Sequence, residues 1–222
     1  MKTLIINFKN YPEILGSNSV RLATDAKAAA GTRVELVLAP PTPMLSLVAE
    51  SVTVSVFSQG VTDGEVGQST GAIIPESVKA SGAVGTILNH SEAKVRLESL
   101  KRLVPRARAA GLKVCLCSAT PDEAREVVSL NPDYIAIEPP ELIGTGVAVS
   151  KARPEVVTET IRQVLQAGFK KKILCGAGIV DGRDVARAIK LGADGILVSS
   201  TVVKAEDWRR KVSELAHPLI SA

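Results

Sequence analysis

The chain has 222 residues, of which 45% are hydrophobic, and it carries a formal net charge of +4. It contains no run of 18 apolar residues, so we expect no membrane-spanning segment. Aromatic residues make up only 3% of the chain, too few for the stacking platforms of proteins that bind single-stranded nucleic acids. The mild positive charge is compatible with an anionic metabolite and too weak to indicate nucleic-acid binding.

Short apolar runs alternate with amphipathic segments from one end of the chain to the other. Runs with the composition of buried strands cover residues 4–7, 36–39, 54–58, 86–89, 114–118, 134–138, 173–175 and 195–198. The segments between and after them predict helices over residues 19–30, 42–50, 75–81, 92–110, 120–129, 155–167, 181–191 and 204–216.

Several residues mark where these helices begin and end. Thr42 precedes a proline, which predicts that it is an N-cap. Thr120-Pro121-Asp122-Glu123 predicts the start of another helix. Gly168 and Gly192 follow two of the helical patterns and are typical of C-terminal ends. Pro218 lies just beyond the last pattern, and we expect the final helix to stop before it.

Eight strands, each followed by a helix in a unit of roughly 28 residues, are typical of βα repeats that form a parallel sheet. Eight repeats favour a closed (β/α)8 barrel. The rival is an open doubly wound sheet, but no Gly-x-Gly-x-x-Gly follows the first strand. No proline- or glycine-rich linker divides the chain, so we expect a single domain over residues 1–222.

The three cysteines, Cys115, Cys117 and Cys175, have no framework spacing, which suits a protein of the reducing cytoplasm. Cys115 and Cys117 alternate along an apolar run, so we expect both on one face of a buried strand. No histidine or cysteine pair has the spacing of a zinc site. Met1-Lys2 leads into an apolar run without a small-residue cleavage site, so we expect no secretory signal.

Active sites of (β/α)8 barrels lie at the carboxyl ends of the strands, and the residues there predict this one. Glu138 ends the sixth predicted strand, and two prolines and Gly144-Thr145-Gly146 follow it. A carboxylate ahead of a loop with a stiff entry and a mobile exit is what an acid–base site with a closing lid requires. The other candidates are Asn7 and Lys9 after the first strand, His90 with Ser91-Glu92 after the fourth, Gly176-Ala177-Gly178 after the seventh and Ser199-Ser200 after the eighth.

The residue types suggest how the work is divided. Glycine and serine turns ahead of helices let backbone N–H groups approach an anion, so the last two turns form a candidate phosphate cradle. His90 lies at a predicted helix start, which would lower its pKa and leave a neutral imidazole able to donate to a carbonyl. Lys9 could steer an anion and offset developing negative charge. Each residue alone is also compatible with a purely structural role.

Three motifs together resemble the triosephosphate isomerases along essentially the whole chain. They are Asn7-Phe8-Lys9, Asn89-His90-Ser91-Glu92 and the segment from Glu138-Pro139 to Gly146. The short chain and the segments Glu138-Pro139-Pro140-Glu141-Leu142 and Val149-Ser150-Lys151-Ala152 are most similar to the archaeal-type branch. The resemblance implies a TIM barrel that interconverts dihydroxyacetone phosphate and D-glyceraldehyde 3-phosphate through an enediolate, in glycolysis and gluconeogenesis, without a cofactor or metal.

The resemblance also implies roles for individual residues. Glu138 would be the base, His90 the neutral electrophile, and Lys9 and Asn7 the electrostatic and positioning residues, with Glu92 as a carboxylate near Lys9. Residues 139–149 resemble the family's lid, with Ile143 and Gly144 at the substrate and the Gly144 N–H closing on the phosphate. Thr70-Gly71 resembles a loop tip that reaches into a neighbouring subunit, and a homo-oligomer is implied, a tetramer in preference to a dimer.

Four positions depart from the longer members of the family: Pro140-Glu141 in the lid, Ala93-Lys94 after Glu92, Gly178 in place of a serine, and Ser199-Ser200 in place of two glycines. Two other functions stay open. One is another phosphate-binding barrel isomerase or synthase acting on a larger sugar phosphate, which would need an acid–base partner on other strands. The other is a non-catalytic barrel that binds a phosphorylated metabolite.

Overall fold

The computed structural model describes residues 1–139 and 148–221 of a closed barrel of eight parallel strands in sequence order. β1 pairs with β2 on one side and with β8 on the other, which closes the barrel. The fold class and all eight strands predicted from the sequence are confirmed, each strand end to within one residue. The strands are β1 Thr3–Asn7, β2 Glu35–Ala39, β3 Ser55–Ser58, β4 Gly85–Leu88, β5 Lys113–Ser118, β6 Tyr134–Ile137, β7 Lys172–Cys175 and β8 Gly195–Val198.

The helices surround the barrel and pack against their neighbours, α1 against α10 and α5 against α7 among them. Within the described part of the chain, no helix is long and apolar enough to cross a membrane. The described helices are α1 Asn18–Ala30, α2 Leu45–Ser51, α3 Pro75–Ala80, α4 Leu97–Ala109, α5 Pro121–Val127, α6 Val149–Ala152, α7 Pro154–Gln166, α8 Gly182–Lys190, α9 Ser200–Val203 and α10 Trp208–Ile220.

The predicted start of α4 at Glu92 is wrong, because the helix begins at Leu97. Side chains of the preceding strand end hold the intervening backbone in a loop. The Glu92 N–H donates to Nδ1 of His90 at 3.1 Å, and the Val95 N–H donates to Oδ1 of Asn89 at 3.1 Å. These N–H groups would otherwise be the unsatisfied donors of a helix start.

Two further predictions on helix ends are wrong and one is confirmed. Thr42 makes no capping hydrogen bond and instead begins a 3-10 helix, Thr42–Met44, after Pro41. The last predicted helix, over residues 204–216, begins later than predicted, at Trp208, and continues through Pro218 to Ile220 as α10, whereas α9 precedes the predicted range. Pro218 lies in the last turn, where the buried Leu219 anchors the helix to the core. The predicted helix start at Thr120 is confirmed, and Thr120 caps α5, with its Oγ1 accepting from the Glu123 N–H at 3.2 Å.

Two apolar layers stabilise the barrel, one between the sheet and the helices and one inside it. Cys115 and Cys117 both belong to the inner layer, as the alternation predicted. Phe57 packs against Gly85, where a Cβ would lie only 2.4 Å from the ring, so only glycine fits there.

A polar cluster closes the amino end of the barrel. The Glu35 carboxylate accepts hydrogen bonds from Thr3 and Tyr134 at 2.7 Å and from Lys172 at 2.6 Å. Although burial opposes ionisation, these partners, Lys172 foremost, lower the pKa of Glu35 to about 2. With the amino end filled in this way, the opening of the barrel lies at the carboxyl ends of the strands.

Candidate active site

A cavity of about 390 Å³ lies at the carboxyl ends of the strands, between the loops that follow β1, β4, β6, β7 and β8. Eight of the residues predicted from the sequence line it: Lys9, His90, Glu92, Glu138, Gly176, Gly178, Ser199 and Ser200. Asn7 lines an adjoining hollow that shares Lys9, His90 and Glu92 with the cavity. The fold therefore gathers residues that are 130 and more positions apart in the chain.

Glu138 is a buried carboxyl group directly after β6. Its backbone N–H donates to the Ser118 carbonyl at 2.8 Å, which holds the residue at the end of the sheet. Its side chain is only 2% exposed, and Oε2 has no hydrogen-bond partner among the described residues. Burial raises the pKa of Glu138 to about 7, although the neighbouring Cys117 and Lys9 act in the opposite direction. A carboxyl group with this pKa can both accept and return a proton near neutral pH.

His90 faces this carboxyl group, with Nε2 at 3.8 Å from Oε2 of Glu138. Because Nδ1 accepts the Glu92 N–H, the proton of the neutral imidazole lies on Nε2, on the side of Glu138. Burial, followed by the positive charge of Lys9, lowers the pKa of His90 to about 4. The neutral imidazole expected from the sequence is thus confirmed. The expected cause of its lowered pKa, a helix N-terminus, is wrong, because α4 does not begin until Leu97 and burial is the largest effect.

Asn89 places His90 through an unusual backbone conformation. It has a φ of 60°, in the left-handed region that asparagine tolerates better than most residues. Its side-chain amide donates to the Cys117 carbonyl at 2.9 Å and to Oε1 of Glu123 at 2.7 Å. The sequence showed Asn89 only as a strand end and Glu123 only as part of a helix start, so their contact comes from the tertiary structure.

Lys9 also has a left-handed backbone, with a φ of 50°. Its N–H donates to Oδ1 of Asn7 at 3.0 Å, and its ammonium lies 2.6 Å from Oε1 of Glu92. The side chain of Lys9 is largely buried, whereas Glu92 is more than half exposed. Lys94 pairs with Glu123 rather than with Glu92.

The main contribution of the glycine turn after β7 is the space that it leaves for a neighbouring side chain. The Gly176 N–H already donates to the Ile137 carbonyl at 2.9 Å. A Cβ at this position would lie 2.6 Å from Cγ and 2.9 Å from Oε1 of Glu138, so the absence of a side chain makes room for the carboxyl group. Ala177 does not line the cavity, and its side chain is fully buried in the outer core layer.

The turn after β8 also lines the cavity, through Ser199 and Ser200. Oγ of Ser199 is buried and has no hydrogen-bond partner among the described residues. Tyr11 and Lys204 also line the cavity, although the sequence pattern did not single them out. Ile143, Gly144 and the rest of the predicted lid from residue 140 to residue 147 lie outside the described residues.

The arrangement has the parts that proton transfer between neighbouring carbon atoms requires. It combines a buried carboxyl group that titrates near neutral pH, a neutral imidazole N–H beside it and an ammonium group at the same opening. These would serve as a base, a hydrogen-bond donor to oxygen and a counter-charge for a developing anion.

Comparisons with known proteins agree with one another. The family model described as triosephosphate isomerase matches residues 2–215. The chain is 45% identical to a triosephosphate isomerase of Caldivirga maquilingensis, over 98% of this chain and 97% of the relative. It is 44% identical to one of Pyrobaculum calidifontis, over 99% and 96%, and 39% identical to one of Methanocaldococcus jannaschii, over 96% and 97%.

Proposed function

The chain belongs to the triosephosphate isomerase family, and from this premise we propose that Glu138 and His90 are its catalytic pair. The protein is an isomerase that interconverts triose phosphates. Its substrates in this proposal are dihydroxyacetone phosphate and D-glyceraldehyde 3-phosphate. The family assignment disfavours both alternatives, the isomerase or synthase of a larger sugar phosphate and the non-catalytic barrel.

Glu138 acts as the base in this proposal. Its carboxylate removes a proton from one carbon of dihydroxyacetone phosphate, which leaves an enediolate, and returns the proton to the neighbouring carbon. The pKa of about 7 supports this role, because the group is substantially ionised at neutral pH and still basic enough to take the proton. Its Oε2, which no described residue contacts by a hydrogen bond, supplies an acceptor atom at the cavity wall.

His90 donates its Nε2–H to the substrate oxygens as negative charge develops on them. A glutamate base with a neutral histidine is the established acid–base pair of this enzyme family. The ammonium of Lys9 adds electrostatic stabilisation, Glu92 holds that ammonium, and Asn7 holds the Lys9 backbone. These groups are in place before substrate arrives, so little reorganisation is needed during the reaction.

The phosphate lies against the turns after β7 and β8. Gly178, Ser199 and Ser200 line the cavity on that side and are the residues we assign to phosphate binding. Gly176 contributes room for Glu138, since its N–H is already bonded, and Ala177 supports the turn from beneath. Ile143 and Gly144 of the lid complete the site by analogy with the family, where closure excludes water from the enediolate.

The setting we propose is the cytoplasm, with a role in glycolysis and gluconeogenesis. The three buried, unpaired cysteines are compatible with a reducing compartment. A homo-oligomer, a tetramer in preference to a dimer, is supported by the resemblance and by the loop after β3. That loop exposes Val66 together with Thr70-Gly71 and is tied to α4 by the Asp63–Arg102 ion pair and by a hydrogen bond that Arg106 donates to the Gly64 carbonyl.

The observation that carries the proposal is the buried carboxylate oxygen of Glu138, which lies 3.8 Å from His90 and has no hydrogen-bond partner in the described part of the chain. The test is Glu138→Gln, assayed with purified protein and without added metal by a coupled assay of D-glyceraldehyde 3-phosphate formation. Because glutamine cannot accept the proton, we expect kcat to fall by about 10³-fold or more. Inorganic phosphate should still inhibit the residual activity competitively.

The matched control is Glu126→Gln, the same change at an exposed position on the far end of α5. It should retain wild-type kinetics. A Glu138→Gln enzyme with near wild-type kcat would contradict the assignment of the base, whatever the control showed.

A further inference from the structure

The charges around the cavity do not by themselves attract a phosphate dianion. The ammonium of Lys9 is already paired with the Glu92 carboxylate at 2.6 Å. His90 is uncharged near neutral pH, and Glu138 carries negative charge for part of the time. Since a phosphate monoester carries close to two negative charges at pH 7, these four residues together would repel it.

Among the residues that the structure describes, Lys204 is the one other cation of the cavity wall. Among the described residues, no carboxylate pairs with its ammonium. Instead Nζ lies 4.7 Å from the centroid of the Tyr11 ring, which also lines the cavity. A cation above an aromatic ring at a partly exposed site is held only weakly, so it can turn to a stronger partner at little cost.

Lys204 lies within reach of the turn assigned to the phosphate. It directly follows α9, a single helical turn that begins at Ser200. One turn of helix advances by about 5.4 Å, which is within the length of a lysine side chain. The same turn holds the buried Oγ of Ser199, which has no hydrogen-bond partner within residues 1–139 and 148–221.

We propose that Lys204 binds the phosphate group of the substrate and is thereby a specificity-determining residue that favours phosphorylated over unphosphorylated trioses. The Tyr11 ring keeps the ammonium at the mouth of the cavity between turnovers. This proposal rests on the isomerase function proposed above and adds to it a second charged side chain, beside the turn assigned to the phosphate.

The test is Lys204→Gln, with kcat/KM measured on D-glyceraldehyde 3-phosphate and on D-glyceraldehyde, the same triose without the phosphate. Loss of a charge-assisted contact should lower kcat/KM for the phosphorylated substrate by at least about tenfold. The loss on D-glyceraldehyde should be far smaller. The loss on the phosphorylated substrate should shrink as salt is added, and Lys204→Arg should restore most of the activity.

The matched control is Lys190→Gln, which removes the same charge at an exposed position at the C-terminal end of α8, on the opposite side of the barrel from the cavity. It should leave the preference for the phosphorylated substrate unchanged. Equal losses of Lys204→Gln on both substrates would overturn the proposal, because the side chain would then not be recognising phosphate.

A binding measurement separates this proposal from the proposed function. Calorimetric titration with inorganic phosphate needs no turnover, and Lys204→Gln should weaken the binding by about tenfold relative to Lys190→Gln. Unchanged binding would refute the role of Lys204 even in an active isomerase. A wild-type protein that bound phosphate through Lys204 but did not turn over triose phosphates would instead refute the isomerase function.

Discussion

Gly176→Ala adds a single methyl group directly against the proposed base. The φ of Gly176 is not in the left-handed region, so alanine suits its backbone, and any effect comes from the new Cβ. That atom would lie 2.6 Å from Cγ of Glu138, about 0.8 Å short of the 3.4 Å at which ordinary contacts begin. Because Glu138 is buried, relief of this overlap must shift its carboxyl group.

A shift of about 1 Å in a catalytic group can cost on the order of 10²-fold in rate, or about 2.7 kcal/mol of activation free energy. We therefore expect Gly176→Ala to lower kcat by about 10²-fold in the coupled assay. The inhibition constant of inorganic phosphate should stay close to that of the wild type, since the Gly176 N–H is bonded to Ile137 and not to the ligand. The effect should thus appear in kcat and not in phosphate binding.

Gly60→Ala is the control for this experiment. Gly60 also follows a strand and also lacks a left-handed φ, but its new Cβ would meet only the Ile87 carbonyl, at an ordinary 3.9 Å. We expect wild-type kinetics from it. If Gly176→Ala kept its kcat, or if phosphate inhibition weakened in parallel with kcat, the reasoning that Gly176 makes room for Glu138 would be refuted.

Two further predictions concern pH. Glu138 must be ionised to act as the base, and burial raises its pKa to about 7. The value of kcat/KM on D-glyceraldehyde should therefore fall about tenfold per pH unit below pH 7. An inflection of the pH profile near the ordinary glutamate pKa of 4.5 would contradict this. Glu35→Gln should cost about 3 kcal/mol of unfolding free energy at pH 7. Since the folded-state pKa of Glu35 is lowered to about 2, this contribution is complete above pH 4.5 and is lost as pH falls towards 2. Denaturant unfolding of the wild type and of Glu35→Gln, measured at pH 7 and at pH 3, should therefore show a smaller difference in unfolding free energy at pH 3. An equal difference at both pH values would exclude the ionised carboxylate as the source of the stabilisation.

Local pattern was enough to predict the architecture. Strand positions follow from runs of apolar residues such as 134–137, and these runs are short-range properties of the chain. Because parallel strands of a (β/α)8 barrel all end at the same face, Lys9, His90 and Glu138 could be assigned to one site without any contact being known. The residue types then limited the chemistry to an acid–base group, an imidazole and a cation.

Tertiary contacts decided the properties that depend on distant neighbours. The pKa values of Glu138 and His90 come mainly from burial, which no local pattern contains. The delayed start of α4 arises from hydrogen bonds that side chains of the β4 end make with the following backbone.

The sequence alone thus determined the order of strands and helices and the kinds of chemical group at the barrel mouth, because both depend on residue type and short-range spacing. Only the tertiary structure decided that Gly176 leaves space for Glu138 and that Lys204 lies on Tyr11 at the cavity. Those contacts join residues 38 and 193 positions apart, and their energies depend on distance and burial in the folded chain.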